Sequence, residues 1–298
     1  LLEQGLVVGA TRSTIHADWM KRSEAIAGNT TPPVPTADQS NAIEAIAGSL
    51  EKGFSQHLLF GVTGAGKTEV YIRLVERTLS LGRIALILVP EIALTPQTAG
   101  RLFNRFPDRR VALLHSGLTQ AQRNQQWTLV AEGEIDIVIG ARSAVFAPIP
   151  DDRLGLVVVD EEHDGSYKQQ DGFRYSARDV AIKRAQLTST PILLGSATPA
   201  LESLHNALLG RYQHHRLPAR AGASTLPELQ AIDLRKQPLE AGLSPALVSA
   251  VEGTLTAGKQ VLLFLNRRGF APSLQCHDCG WVAQCKSCDA RFTVHRRQ

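Results

Sequence analysis

The chain has 298 residues, 43% of them apolar and 20% charged, with 15 prolines and four cysteines. That length holds about two domains with sizeable cores, and the composition excludes the disordered, collagen-like and disulfide-scaffold classes. No run approaches the ~18 uninterrupted apolar residues of a membrane span and no signal-peptide pattern opens the chain, which points to a cytoplasmic protein without a membrane partner. The net charge of +4 and a pI near 9.0 suit a polyanionic partner.

Residues 1–28 carry a short apolar run, Leu6 to Val8, and a polar segment with Trp19, too little to fold alone; they read as the tail of a preceding domain. Pro32, Pro33 and Pro35 make 29–35 an extended linker. Thr36 then caps a predicted helix carrying Ile43, Ile46 and Leu50.

A strand over Leu58 to Phe60 runs into Gly61, Val62, Thr63, Gly64, Ala65, Gly66, Lys67 and Thr68, which fit G-x-x-x-x-G-K-[ST] without a mismatch. The glycines allow a tight turn whose N–H groups point inward, and the following helix aims its positive end at phosphate. Lys67 reaches the β- and γ-phosphates in such a loop, and the Thr68 hydroxyl takes one position on Mg²⁺. Tyr71, Leu74, Val75 and Leu79 continue at helical spacing until Gly82 stops the helix.

Further strands are predicted at Ile84 to Val89, Val111 to Leu114, Ile135 to Ile139, Leu156 to Val159 and Ile192 to Leu194. Helices lie between them at Thr119 to Ala131, where Thr119 and Gln122 have capping-box spacing, and at Ala200 to Leu209. Continuous apolar strands alternating with helices imply an α/β, doubly wound parallel sheet over 36–215. A Pro- and Gly-interrupted linker, 216–227, follows. Residues 228–275 restart the rhythm with a helix, Ser244 to Thr256, and a strand, Val261 to Leu265.

Leu156 to Val159 place Asp160 at the carboxyl end of a buried strand, the edge where open α/β sheets bind ligands. Asp160 can hold Mg²⁺ through water, and Glu161 can orient or deprotonate an attacking water. Just beyond come Tyr167, Lys168, Phe173, Arg174 and Tyr175, in a chain only 5% aromatic. Aromatic faces stack on unpaired bases at about 1–3 kcal/mol each while cations meet phosphates. The alternative is that Phe173 or Tyr175 packs inward beneath the next helix.

Cys276-x-x-Cys279 and Cys285-x-x-Cys288, in the segment 276–298, hold all four cysteines and suggest zinc, with free reduced thiols as the alternative. The five residues between the pairs are fewer than the about 15–20 usual when two pairs share one zinc. His277 and His295 are either further ligands or plain surface histidines.

Asp160-Glu161-Glu162-His163 fits the D-E-x-H box of superfamily 2 helicases, and Gly195-Ser-Ala-Thr-Pro199 resembles their third motif. The words Gly61 to Glu69, Leu88 to Gln97, Gly140 to Ala144 and Phe264 to Gly269 resemble the PriA (primosomal protein N′) family of bacterial replication-restart helicases. The resemblance implies a RecA-like helicase lobe 1 and the start of a second RecA-like lobe, interrupted by a cysteine-rich zinc insert, with residues 1–28 trailing from a winged-helix-like DNA-binding domain. It implies ATP, Mg²⁺ and Zn²⁺, with eight cysteines holding two zincs per full-length chain. It adds His163 to the catalytic set, gives Gln39 the reading of adenine and brings Pro90 to Gln97, Arg142 and Ser143 to the DNA backbone. The aromatic loop then couples single-stranded DNA to hydrolysis. The implied activity is ATP-dependent 3′ to 5′ unwinding at stalled forks, with single-stranded and forked DNA, other primosome proteins and single-stranded-DNA-binding protein as partners. Two rivals are a nucleotide-switched DNA-binding scaffold and a zinc module serving as a protein-docking platform. The start at Leu1 and the lack of an arginine-finger motif suggest a piece of a longer protein, with little ATPase of its own.

Overall fold

Runs of Leu, Ile and Val have no polar side to turn to water, so they come to lie where both faces are covered. In the computed structural model they form the strands of one sheet, and the residues described are 32–90, 104–221, 228–239, 242–264, 274, 276–288 and 291. The strands are β1 (Gln56–Gly61), β2 (Ile84–Leu88), β3 (Val111–Leu114), β4 (Ile137–Gly140), β5 (Leu154–Asp160), β6 (Ile192–Ser196) and β7 (Gln213–Leu217). Their order is β3-β4-β2-β5-β6-β1-β7, and each pairing is parallel. This is the doubly wound α/β fold expected of a RecA-like helicase lobe.

Side chains alternate across the pleat. Leu59, Ile87, Leu156 and Val158 face the layer built by Ile43, Ile46, Leu74 and Val75 from helices α1 (Ala37–Ala47) and α2 (Lys67–Ser80). Leu58, Leu86, Val157 and Val159 face α3 (Gln120–Ala131), α4 (Ala177–Leu187) and α5 (Leu201–Leu208), which supply Val130, the alanines 177, 181 and 185, and Ala207. Burying each such Leu or Ile contributes about 1.5–3 kcal/mol, so this two-sided core holds the sheet. Three helices on that second face meet it largely through alanine, which brings their backbones close to the strands.

Helix ends follow local chemistry. Thr36 accepts from the Gln39 amide at 3.3 Å while its own N–H donates to Gln39 Oε1 at 2.8 Å. Thr119 and Gln122 repeat the reciprocal pair at the start of α3. Leu50 lies beyond α1, in the turn after it, and is buried.

β7 was not legible as a strand. Its sequence Gln-His-His-Arg-Leu is polar because it is the sheet edge and pairs only with β1, and a polar edge deters pairing with another chain. The sheet thereby runs to Leu217, two residues past the boundary expected at 215.

The chain forms two compact units, 1–224 and 225–298. In the second, α6 (Pro245–Thr256) begins as expected, with Ser244 Oγ accepting from the Leu247 amide at 3.3 Å and proline in the first turn. The expected strand at Val261 to Leu265 is not formed over 261–264: Leu262 is 92% exposed, because no described strand of this unit lies beside it. Leu265 falls outside the described residues, as do the segment 1–28, residues 91–97 of the Pro90 to Gln97 stretch, most of the Phe264 to Gly269 word, and His295.

Candidate nucleotide site and nucleic-acid surface

β1 delivers the chain to Gly61, and α2 takes it up at Lys67. Between them the backbone turns through left-handed conformations at Gly64 (φ 82°) and Gly66 (φ 78°). Any β-carbon on Gly66 would lie 2.4 Å from Gln39 Nε2, so glycine is required there twice over. Gln39 is 3% exposed, its Nε2 donates to the Ala65 carbonyl at 2.7 Å and its Oε1 is taken by Thr36. It is therefore a buried brace of the loop. Val62 and Thr63 are exposed and Thr68 is half-buried on the first turn of α2.

Lys67 is nearly buried, and its ammonium donates to the Gly61 carbonyl at 3.2 Å and pairs with Glu161 Oε1 at 3.3 Å. The loop and the D-E-x-H box thus meet at one ion pair. Glu161 reaches it from a strained backbone, φ 44°, just past the end of β5. Asp160 is held differently: the Tyr71 hydroxyl, from α2, donates to its Oδ1 at 2.9 Å. Burial raises the Asp160 carboxyl above its ordinary range, and the Tyr71 bond opposes that rise by favouring the charged form.

Tyr71 reaches Asp160 by crossing β6 at Gly195, which is in register with Asp160 on one side and Leu59 on the other. A β-carbon at 195 would stand 1.7 Å from the phenolic oxygen. Ser196 and Thr198 continue the link, since His163 Nδ1 bonds Ser196 Oγ at 2.7 Å and its Nε2 bonds Thr198 Oγ1 at 3.2 Å. Glu162 is buried, its Oε1 accepting from the Ala200 amide at 2.7 Å and its Oε2 from Ser203 Oγ at 2.8 Å and Arg178 at 3.2 Å. It caps α5, whose own N-cap, Ala200, has no capping side chain. Arg178 and Ser203 escaped the sequence reading, which had Tyr71 only as a residue at helical spacing and Glu162 only as a member of the box; the capless start of α5 is the local sign that an acceptor from elsewhere serves it.

Of the expected DNA-facing aromatics, Tyr167 is corrected. It is 2% exposed, packed in the core with its hydroxyl donating to the Asp160 carbonyl at 2.6 Å, so it presents no stacking face. Phe173 is 80% exposed. Tyr175 is half-buried, 5.0 Å from Phe146 in an edge-on contact and 6.1 Å from Phe173. Residues 168 to 176 double back as a small hairpin, with Gln169 N–H donating to the Tyr175 carbonyl at 2.8 Å. Lys168, Gln169, Gln170, Arg174, Tyr175 and Ser176 line an open cleft on it. Arg142 donates to the Ser166 and Lys168 carbonyls and so braces the hairpin's root, while Ser143 beside it is exposed.

In the second unit none of the four cysteines forms a disulfide, Cys279 and Cys288 being exposed and Cys276 and Cys285 less so. Gly280, φ 77°, closes the first turn by donating to the Cys276 carbonyl. Backbone N–H groups, chiefly of Cys279 and Ser287, lower the Cys276 and Cys285 thiols below their ordinary range. Among the described residues no three metal-binding side chains gather in one place. No described helix is long and apolar enough to cross a membrane.

Residues 36–207 match the DEAD/DEAH box helicase family. The chain is 46% identical over 304 residues to the Haemophilus influenzae protein named Replication restart protein PriA, covering 100% of this chain and 40% of that protein. It is 43% identical over 274 residues to the Bacillus subtilis protein of the same name, covering 89% and 33%. Among solved structures, that of RecG bound to a three-way DNA junction is 22% identical, with a TM-score of 0.48 and coverage of 75% of this chain and 26% of that one. The chain thus spans at most 40% of the length of these PriA relatives, and it belongs to the DEAD/DEAH box helicase family.

Proposed function

We propose that this chain is the ATP-driven motor lobe of a replication-restart DNA helicase. The observation that carries the reading is the 3.3 Å pair between Lys67 and Glu161, which joins a phosphate loop to an acidic box at the carboxyl edge of a parallel sheet. When ATP binds, Lys67 exchanges Glu161 for phosphoryl oxygens, and Glu161 is released to take a proton from the attacking water. The Thr68 hydroxyl and Asp160 carboxylate would hold Mg²⁺ as hard oxygen donors, and the bound ion would supply neutralisation of phosphoryl charge. The resemblance gives Gln39 the reading of adenine, for which its amide would give up the bonds to the Ala65 carbonyl and Thr36.

Phe173, Tyr175, Lys168, Arg174, Arg142 and Ser143 form the surface proposed to meet single-stranded and forked DNA, as stacking platforms and phosphate donors. His163, bonded to Ser196 and Thr198, relays nucleotide state to that surface. Each cysteine pair, on its own turn with N–H groups aimed at sulfur, fits half of a zinc site whose other half lies elsewhere in a longer protein. The cytoplasm, 3′ to 5′ polarity, other primosome proteins and single-stranded-DNA-binding protein complete the reading, as the sequence resemblance to replication-restart helicases implies.

ATP turnover by the full-length protein carrying this chain, measured against single-stranded DNA concentration, tests it. Stimulation by DNA is expected. Turnover indifferent to DNA would leave a nucleotide-switched scaffold in its place.

A further inference from the structure

Past β7 the chain does not leave the sheet edge at once. Leu217 accepts a hydrogen bond from the Val62 amide at 3.3 Å, and the Ala221 amide donates to the Gly64 carbonyl at 2.9 Å. The segment 217–221 is thereby laced along the phosphate loop from its first glycine to its middle one. The fit is close on one side of that loop: a β-carbon on Gly61 would meet Leu217 at 3.1 Å, and one on Gly66 would meet Ala221 at 3.5 Å. Between these contacts lies Arg220, whose Cγ and Cδ stand 3.8 Å from where a β-carbon on Gly64 would be. Its Nε is buried and has no hydrogen-bond acceptor among the described residues.

A guanidinium always carries its charge and offers five N–H donors in a rigid fork suited to phosphate. Holding its stem on the glycine turn while an N–H group is buried without an acceptor makes sense if the acceptor arrives with the ligand. We infer that Arg220 is a polyphosphate-binding residue of the nucleotide site, a second lobe-1 cation beside Lys67, carried by the strap 217–221. The inference rests on the reading of Gly61 to Thr68 as the nucleotide site. It also gives the polar edge strand a task, since β7 is what delivers the strap to the loop.

Binding of a fluorescent ADP analogue with Mg²⁺ to the 298-residue chain tests it, alongside its competition by ADP, GDP and adenosine. Arg220→Ala should weaken ADP and GDP alike by roughly tenfold, the scale of one charge-assisted bond to phosphate. Competition by adenosine should not change, and Arg220→Lys, which keeps the charge without the fork, should fall between. Thermal melting of each variant separates lost binding from lost fold. Wild-type binding that Lys67→Ala abolishes but folded Arg220→Ala leaves within twofold would overturn this inference alone. A loss confined to ADP, with GDP spared, would overturn the phosphate assignment in favour of a base contact. Absence of nucleotide binding by the wild-type chain would overturn the phosphate-loop reading and this inference with it.

Discussion

The Tyr71 hydroxyl donates to Asp160 Oδ1 across the bare backbone of Gly195, at 2.9 Å. Three sequence words far apart in the chain therefore meet at one phenol. Tyr71→Phe should cost about 1–2 kcal/mol of stability, because a buried carboxylate oxygen loses its donor. It should also weaken Mg²⁺-dependent nucleotide binding several-fold by freeing the Asp160 side chain to rotate. Denaturant melts and Mg²⁺ titrations of nucleotide affinity check both.

Gly195→Ala attacks the same bond from below. The new methyl would occupy the phenolic oxygen's place, so Tyr71 must swing away, at a cost of about 1–3 kcal/mol. Combined with Tyr71→Phe, the losses should be less than additive, since each variant breaks the contact the other needs.

Lys67→Ala should reduce nucleotide affinity by at least about tenfold and abolish DNA-stimulated turnover in the full-length protein, because the loop's one cation on the transferring phosphoryl group is gone. DNA binding should survive it, as a gel-shift or anisotropy titration will show.

The aromatics near the box should separate into two kinds. Phe173→Ala, at an exposed ring, should change stability by less than about 0.5 kcal/mol yet lower stimulation by single-stranded DNA. Tyr167→Ala should instead cost about 3–5 kcal/mol through lost core packing. Unchanged DNA stimulation in Phe173→Ala would count against the hairpin as a DNA surface.

His57 on β1 is fully buried, bonded to Ser49 at 3.0 Å, Ser55 at 2.9 Å and His215 of β7 at 3.1 Å. Burial first, and His215 second, lower its pKa from 6.5 to about 4. Between those values the unfolded chain binds the extra proton, so this contribution to stability is full above about pH 6.5 and is lost as pH falls toward 4, by up to about 3 kcal/mol. Urea melts at pH 7.5, 6 and 5 should show the decline, and His57→Asn should lessen it, leaving the share due to His214 and His215, whose pKa values burial also lowers.

Much of the lobe was legible because apolar runs and capping boxes are local signals. Val111–Leu114 and the Thr119–Gln122 box stand as read, and the turn from Gly61 to Thr68 follows from its glycines alone. What escaped depends on partners distant in sequence. β7 is polar because the edge has one neighbour, and nothing in Gln-His-His-Arg-Leu announces that neighbour. Tyr71 reads as a core residue at helical spacing, and only register places Gly195 beneath its hydroxyl. Tyr167 looked like its exposed neighbours because an aromatic-rich loop does not say which ring turns inward. The strand expected at Val261 to Leu265 lacks a partner in the described part of its unit, and pairing, unlike helix formation, cannot be satisfied within one segment.

The strand order has a mechanical side. β6 lies between β1, which bears the phosphate loop, and β5, which bears the acidic box, so through the sheet the two halves of the proposed site are joined only by way of a third strand, while side chains join them directly at Lys67–Glu161 and Tyr71–Asp160. A shift of β1 against β5 within the sheet would be carried by that middle strand. Its last residue is Ser196, which His163 grips, so the strand that spaces the two halves is itself tied at its carboxyl end to the acidic box.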